Sequence, residues 1–324
     1  MKEFLRNNII KMAVAAAVFV LCLFISRETY PALILAYIAI YSIGTSGLDL
    51  LFGFSGQISM GHAAYFAIGA YTSAILATKY GLNPFFGILI GSIFATVAGL
   101  LLAIPASKLV KHFLSLMTIA FGQVVYMFVN VSTKITGGST GIRNIPYISI
   151  FGYELNTYRK NFVFATLLLI LVLIVKRNII NSRTGRAFMA IKENTAAAEG
   201  MGINVPLFKV MAFGTSALFM GLAGGLYAHL VTYISPETFN NTQSVLFMTM
   251  VLFGGIQSLM GPIVGSAVLM LVKEVFQFLQ IYQVLIYGVF ILIVLFFFPN
   301  GIVGIFSSIM RSVRRRKENS HAEA

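Results

Sequence analysis

The chain alternates long apolar blocks with short polar ones along almost its whole length. An α-helix needs about 20 residues to cross the hydrocarbon core of a bilayer, and most blocks approach that length. A segment in lipid must satisfy its own backbone hydrogen bonds, and the alternating pattern of membrane β-strands is missing. We therefore predict about ten membrane-spanning helices, at residues 9–26, 31–50, 59–78, 84–104, 112–131, 161–176, 207–230, 244–260, 262–279 and 281–298.

These blocks predict an all-α fold, a polytopic bundle of transmembrane helices. We expect a single membrane domain at residues 1–310 and a basic cytoplasmic tail at residues 311–324. The pattern is interrupted between residues 244 and 279, where glycine and proline are typical of a broken or re-entrant segment. The residues that indicate this break are Gly254, Gly255, Gly261 and Pro262.

Composition and charge support the membrane assignment and give an orientation. The chain is 10% charged, whereas soluble proteins carry about 25% charged residues. The net charge of +13 comes from basic residues at the ends of apolar blocks, a pattern that argues against nucleic-acid binding. Ten spans place about 16 Lys and Arg residues with both termini and about 6 on the other side. The positive-inside rule then makes both termini cytoplasmic. Loop 132–160 is basic although external, and we expect it to fold as a small external element.

Small residues recur at four-residue spacing, which lets helix backbones approach closely. The pairs and series are Gly87 with Gly91, Ala95 with Gly99, and Ala217 with Gly221 and Gly225. We expect them to serve helix packing.

Motifs for catalysis or cofactors are missing from the sequence. It has no GxxxxGK[ST] loop for ATP, and its four histidines lack the spacing of metal ligands. We therefore predict no enzymatic activity, no cofactor and no metal site. Charged residues inside the predicted spans are few, namely Asp49, Lys273 and Glu274. This supply is too small for the proton relay of an ion-driven carrier.

The stretch "GFSGQISMGHAAYFAIGAY", residues 53–71, is unusually polar for a membrane block. Irregular backbone at membrane depth persists only where protein or a water-filled cavity satisfies it. Two interpretations stay open, buried packing and the lining of a pathway. Gln57-xxx-Gly61 resembles Gln257-xxx-Gly261 later in the chain, which suggests an internal repeat of the kind found in many transporters.

Residues 183–205, "RTGRAFMAIKENTAAAEGMGINV", are too short and polar to span a membrane. We predict a helix over about 186–199, capped by Thr184 and ended by Gly200 and Gly202. Its apolar face is predicted to carry Phe188, Ile191, Ala198 and Met201.

That helix has two interpretations. It either lies on the bilayer surface or inserts its apolar face into a groove on a cytoplasmic protein. The face is small and alanine-rich, and its rim carries both signs of charge. These features favour a protein partner.

Several stretches resemble a known family. "AAAEGMGINV" resembles the EAA-type cytoplasmic loop of bacterial ABC importer permeases, although it lacks the full pattern of other importer classes. Over about residues 30–305, five further stretches resemble LivM-type branched-chain amino acid permeases, in the family's order. They are "GFSGQISMGHAAYFAIGAYTSAIL", "TGGSTGI", "GLAGGLYAHL", "VLFGGIQSLMGPIVGSAVL" and "FPNGIVG".

The resemblance implies a permease subunit of an ATP-binding-cassette importer in the bacterial inner membrane. Its partners would be a LivH-like second permease subunit, two ATPase subunits and an extracytoplasmic solute-binding protein. The solute would be leucine, isoleucine or valine. Alternatives are urea, short amides or other amino acids, and a self-sufficient secondary carrier is less favoured.

The resemblance also implies site residues. A coupling helix would lie at about residues 184–203, and its ATPase contacts would be Arg186, Glu193, Ala197, Glu199, Gly200 and Gly202. The translocation pathway would pass near Gln57, Ser59 and His62.

Overall fold

The computed structural model describes residues 29–107, 111–150, 153–275 and 288. The predicted span 9–26 and the tail 311–324 lie outside these residues, as does the predicted span 281–298 except for residue 288. The helices are α1 (Thr29–Asp49), α2 (His62–Lys79), α3 (Pro84–Ala106), α4 (Lys111–Val131), α5 (Thr133–Thr136), α6 (Tyr158–Asn181), α7 (Arg183–Glu193), α8 (Thr195–Gly200), α9 (Val205–Val231), α10 (Asn241–Gly254) and α11 (Gly261–Val275). A π-helical turn, Leu50–Phe54, directly continues α1.

The predicted all-α class is confirmed. Five helical stretches in the described residues are long and apolar enough to cross a membrane. They coincide with the predicted spans that begin at residues 31, 84, 112, 161 and 207. These stretches are Tyr30–Phe54, Pro84–Ala106, Phe113–Val131, Tyr158–Asn181 and Val205–Val231. The count of ten spans is not confirmed.

The predicted span 244–260 ends earlier than expected. Helix α10 ends at Gly254 and α11 begins at Gly261, so the predicted break is confirmed. Inside it, Gly255 has φ 101° and Gln257 has φ 59°, in the left-handed half of backbone space. The backbone therefore reverses before α11, and a Cβ added at Gly254 would collide with the carbonyl oxygen of Gly261.

Asparagine side chains cap the N-termini of several helices, and three of these helices belong to the bundle. Asn83, Asn204 and Asn240 accept hydrogen bonds from backbone N–H groups in the first turns of α3, α9 and α10. These caps satisfy donors that have no partner within the helix. A proline in the first turn of α3 and of α9 strengthens the same start signal.

The core of the bundle is built around α9. It packs against α1, α2 and α3, while α6 and α11 pack on α1. Glycines permit the closest approaches, as predicted. A Cβ added at Gly69 of α2 would collide with the carbonyl oxygen of Gly221 in α9, and Gly91 of α3 faces Gly69. Helices α2, α3 and α9 therefore meet backbone to backbone.

The loop between α4 and α6 is folded, as predicted. It contains α5, a 3₁₀ turn at Gly138–Thr140, and a hairpin in which β1 (Ser149–Ile150) pairs antiparallel with β2 (Tyr153–Glu154). The backbone of Ile142 pairs with that of Ile234, after α9, through two hydrogen bonds of 2.9 and 3.0 Å. This loop is therefore anchored to the end of the central helix, and Pro236–Phe239 forms a second 3₁₀ turn beside it.

The contact between α2 and α9 generates a first prediction. Gly69→Ala should lower the free energy of unfolding by about 2 kcal/mol, because the new methyl group meets backbone that cannot move aside. Alanine by itself stabilises a helix by about 1 kcal/mol relative to glycine. A loss of stability can therefore be assigned to the steric clash. The measurement is the melting temperature of the purified protein in detergent. The matched control is Gly200→Ala, since nothing lies within 4 Å of that position; equal melting temperatures for both variants would contradict the prediction.

Candidate functional site

The segment between α6 and α9 forms two short helices. Helix α7 begins at Ser182, whose hydroxyl oxygen accepts from the backbone N–H groups of Thr184 at 3.1 Å and Gly185 at 3.4 Å. Gly185 lies directly against the carbonyl oxygens at the end of α6, where a side chain has no room. The predicted cap at Thr184 was therefore wrong by two residues.

A single helix over 186–199 was also predicted, and the structure divides it at Asn194. That residue has extended backbone, ends α7, and caps α8 by accepting from the N–H of Ala197 at 3.1 Å. Asparagine competes for backbone donors, which explains the division. Gly202, with φ 80°, then turns the chain toward α9.

The apolar face of these helices packs against the protein's own chain. Phe188, Ile191 and Ala198 are buried as predicted, but their neighbours are Val205 and Phe208 at the start of α9. Met201, which was predicted to share this face, is instead 83% exposed. The hypothesis that the apolar face fills a partner's groove is therefore wrong.

The outer face of α7 and α8 is polar with two methionines. The six predicted contact residues, Arg186, Glu193, Ala197, Glu199, Gly200 and Gly202, are all exposed. Sequence reasoning missed Met189 and misplaced Met201, which are exposed on the same two helices and the turn after them. A helix that lies on lipid needs a wide apolar face. Since that face is buried here, a protein partner is the better interpretation.

Helix α7 rests on the irregular segment between the π-helical turn and α2, residues 55–61, which we call the polar break. Gly56 has φ 69°, and a Cβ added there would lie 2.9 Å from Cγ of Lys192 and 3.3 Å from its Cα. The backbone of α7 and the aliphatic part of Lys192 thus lie directly on this glycine. A movement of α7 toward the polar break would therefore press on Gly56.

Hydrogen bonds hold the polar break in place. The Gln57 side-chain N–H group donates to the Ser55 hydroxyl at 2.7 Å, and the Met60 backbone N–H donates to the Thr118 hydroxyl of α4 at 3.0 Å. Ser59 contacts Nδ1 of His62 at 3.1 Å. The three predicted pathway residues, Gln57, Ser59 and His62, are all buried. Their pathway role stays a prediction.

Two histidines join α2 to α9. Nε2 of His62 lies 2.7 Å from the Ser216 hydroxyl, and Nε2 of His229 lies 2.7 Å from the Ser73 hydroxyl. In each pair, one residue belongs to α2 and the other to α9. These two histidines therefore connect neighbouring helices in the buried part of the bundle. In the ranges that the structure describes, no three His, Cys, Asp or Glu side chains form a group that could hold a metal ion.

A buried ion pair lies beneath the polar break. Nζ of Lys176 in α6 is 2.8 Å from Oδ2 of Asp49 at the end of α1, and both side chains are 0% exposed. Lys176 also donates to the carbonyl oxygen of Ser258, and Asp49 accepts from the backbone N–H of Gln257. The pair therefore connects α1, α6 and the break between α10 and α11.

Sequence reasoning identified Asp49 but not its partner. A carboxylate at membrane depth requires a cation, and the lysine that ends the predicted span 161–176 was the available signal. The other two predicted intramembrane charges do not act as a relay. Glu274 accepts a hydrogen bond from the Tyr30 hydroxyl, and Lys273 is exposed.

Comparison with known proteins gives a consistent result. Residues 30–297 match the family described as "Branched-chain amino acid transport system / permease component". The Escherichia coli (strain K12) "High-affinity branched-chain amino acid transport system permease protein LivM" is 31% identical over 287 residues, which are 82% of this chain and 68% of the relative. A Methanocaldococcus jannaschii protein named as a probable LivM permease is 22% identical, over 84% of this chain and 92% of its own. A probable LivH permease of the same organism is 21% identical, over 69% of this chain and 72% of its own. No solved structure matches significantly.

The ion pair generates the second prediction. Asp49→Ala and Lys176→Ala should each cost about 3–5 kcal/mol of stability, because each leaves an unpaired charge in a buried site. The double variant Asp49→Ala/Lys176→Ala should be markedly more stable than the sum of the two single losses implies. Melting temperatures of the four proteins in detergent complete the cycle. Additive losses would show that the two side chains do not stabilise each other.

Proposed function

Because this chain belongs to the family of permease components of branched-chain amino acid transport systems, we propose that it is the transmembrane permease subunit of an ATP-binding-cassette importer for leucine, isoleucine and valine. The family match carries this proposal, since it runs from residue 30 to residue 297 and includes the polar break and α7–α8. The names of the LivM relatives supply the solute class. The chain is a multi-pass membrane protein.

Three kinds of partner complete the proposed importer. A LivH-like chain serves as the second permease subunit, in keeping with the similarity to a protein of that name. Two ATPase subunits hydrolyse ATP, because this sequence has no phosphate-binding loop of its own. An extracytoplasmic binding protein delivers the solute.

In this proposal, α7 and α8 are the coupling element. Their exposed face, with Arg186, Glu193, Glu199, Met189 and Met201, contacts an ATPase subunit. Methionine and arginine are enriched at protein interfaces, and exposed methionines adapt to an irregular partner surface. ATP-driven movement of that subunit displaces α7, and the contact of Lys192 with Gly56 passes the movement to the polar break.

The same proposal gives the orientation. Loop 177–206 carries Arg177, Arg183, Arg186 and Lys192 and lies on the cytoplasmic side, as the positive-inside rule requires. The folded loop between α4 and α6 then faces outward, where it meets the binding protein.

Reconstitution tests the function directly. The chain with its second permease and both ATPase subunits, in liposomes with the binding protein outside and ATP inside, should accumulate radiolabelled leucine. Removal of the ATPase subunits should abolish uptake. Uptake by the chain alone would support a secondary carrier instead. If urea, short amides or other amino acids competed with leucine uptake and isoleucine and valine did not, the proposed solute class would be wrong.

The third prediction concerns the ATPase contact. Glu193→Arg and Met201→Glu should each weaken co-purification of the ATPase subunit by about tenfold or more, because a hot-spot change costs about 2 kcal/mol. Both residues are exposed, so the permease should still fold. Glu154→Arg is the matched control, because it reverses an exposed charge at the other end of α6. If both variants bound the ATPase subunit as well as the wild type does, α7 and α8 would not be the coupling element.

The fourth prediction concerns orientation. Cys22 is the only cysteine, so Cys22→Ser gives a background without thiols. On that background, Ser139→Cys should react with a membrane-impermeant thiol reagent in intact spheroplasts, whereas Ala196→Cys should react only after permeabilisation. Both positions are exposed. The reverse pattern would invert the proposed topology.

A further inference from the structure

Helix α4 has three distinct faces, because residues three and four positions apart lie on the same side of a helix. The first packs into the bundle through Leu114, Thr118 and Val129, which are buried. The second is apolar and exposed, as expected of a lipid-facing surface. It consists of Leu116, Val124, Met127, Phe128 and Val131.

The third face lies between the other two and is polar. We call it the α4 polar face, and it consists of Ser115, Gly122, Gln123, Tyr126 and Asn130 together with one apolar residue, Ile119. All six are at least partly exposed. A helix surrounded by lipid would carry apolar residues here, as the neighbouring exposed face does.

Three of the polar side chains on this face have no hydrogen-bond partner in the part of the chain that the structure describes. Among the residues that the structure describes, the side chains of Gln123, Tyr126 and Asn130 make no hydrogen bond. An amide or hydroxyl transferred to hydrocarbon without a partner costs several kcal/mol. Polar side chains in membrane spans accordingly face water, a cavity or a partner.

The depth of Gln123 excludes an interfacial explanation for that side chain. The span containing it is Phe113–Val131, and a rise of 1.5 Å per residue places Gln123 about 15 Å along it. The hydrocarbon core is about 30 Å thick, so Gln123 lies near its middle. From Ser115 to Asn130 the polar face extends for about 22 Å.

The α4 polar face also borders the polar break. Thr118 accepts the Met60 backbone N–H group at 3.0 Å, and a Cβ added at Gly122 would lie 3.6 Å from Cα of Gly61. The polar break in turn supports α7 through Gly56. The α4 polar face therefore lies beside the same segment that supports α7.

We propose that the α4 polar face is this subunit's wall of the translocation pathway, closed on the other side by the second permease subunit. This inference rests on the proposed importer function and extends it to named residues. Ser115, Gln123, Tyr126 and Asn130 are all uncharged, so the wall suits a small polar solute with no net charge. A zwitterionic amino acid has that property, whereas a net charge would lack a counter-ion on this face.

Cysteine accessibility tests the wall. On the Cys22→Ser background, Gln123→Cys and Asn130→Cys are compared with Val124→Cys and Met127→Cys, which lie at similar depths on the lipid-facing side. Each variant is assembled with its partner permease and ATPase subunits in membranes. The probe is a small cationic methanethiosulfonate reagent, which reacts with the thiolate formed in water. Reaction at residues 123 and 130 should be about tenfold faster or more, because a thiol in lipid stays protonated.

Two further readouts separate the possible failures. Leucine at saturating concentration should slow the reaction at residues 123 and 130 and leave residues 124 and 127 unchanged. Labelling rates at residues 123 and 130 no higher than those at residues 124 and 127 would overturn the proposal that this face lines the pathway. A subunit interface without water gives that result. Failure of the wild-type complex to import leucine with ATP would instead overturn the proposed function, and the labelling rates do not depend on that assay.

Discussion

The arrangement of the molecule depends on one buried ion pair, Asp49 with Lys176. Its two ends lie in different helices and both are fully shielded from solvent. Neither charge is tolerable alone at that depth, since an unpaired buried ion costs several kcal/mol. The pair also binds the break between α10 and α11 through Ser258 and Gln257. Three parts of the bundle that are distant in sequence are therefore fixed to one another at a single point.

That point determines where the α7–α8 segment lies. Lys176 is in the last two turns of α6, and Ser182 begins α7 immediately after that helix. Asp49 lies just before the π-helical turn that leads to Gly56. Because the ion pair fixes the end of α6 against the end of α1, Lys192 of α7 falls on Gly56. The proposed transmission of movement from the ATPase subunits thus relies on an electrostatic contact that the solute never meets.

Much of the bundle could be predicted from sequence, because lipid imposes a simple pattern. Apolar blocks of spanning length correctly placed α1, α3, α4, α6 and α9, and the four-residue spacing of small residues anticipated the contacts among α2, α3 and α9. Glycine-rich interruption correctly predicted the break after Gly254. The sequence echo between Gln57 and Gln257 is matched by two breaks between helices, although the repeat itself stays a prediction.

The site was less predictable for a physical reason. An amphipathic pattern shows that a helix buries one face, but it does not show which surface covers that face. Phe188 and Ile191 looked like anchors for a partner, and they pack on α9 instead. The partner of Asp49 lies 127 residues away in sequence, a distance at which no local pattern operates. The division of α7 from α8 depends on the backbone at Asn194, which the alanine-rich run after it concealed.

In the proposed importer, the burial of Gln57, Ser59 and His62 suits the polar break to a mechanical role, while their place in the pathway stays a prediction. The Gln57 side chain and the Met60 backbone are held by hydrogen bonds to Ser55 and Thr118. Helix α4 differs, because it carries polar side chains with no partner in the described part of its own chain. The Met60–Thr118 hydrogen bond joins the polar break to α4. In the proposed importer, the movement of the ATPase subunits and the solute therefore follow separate surfaces, which meet at Thr118. The residues of the α4 polar face can then change, and with them the solute, while the contacts of α7 with the polar break stay the same.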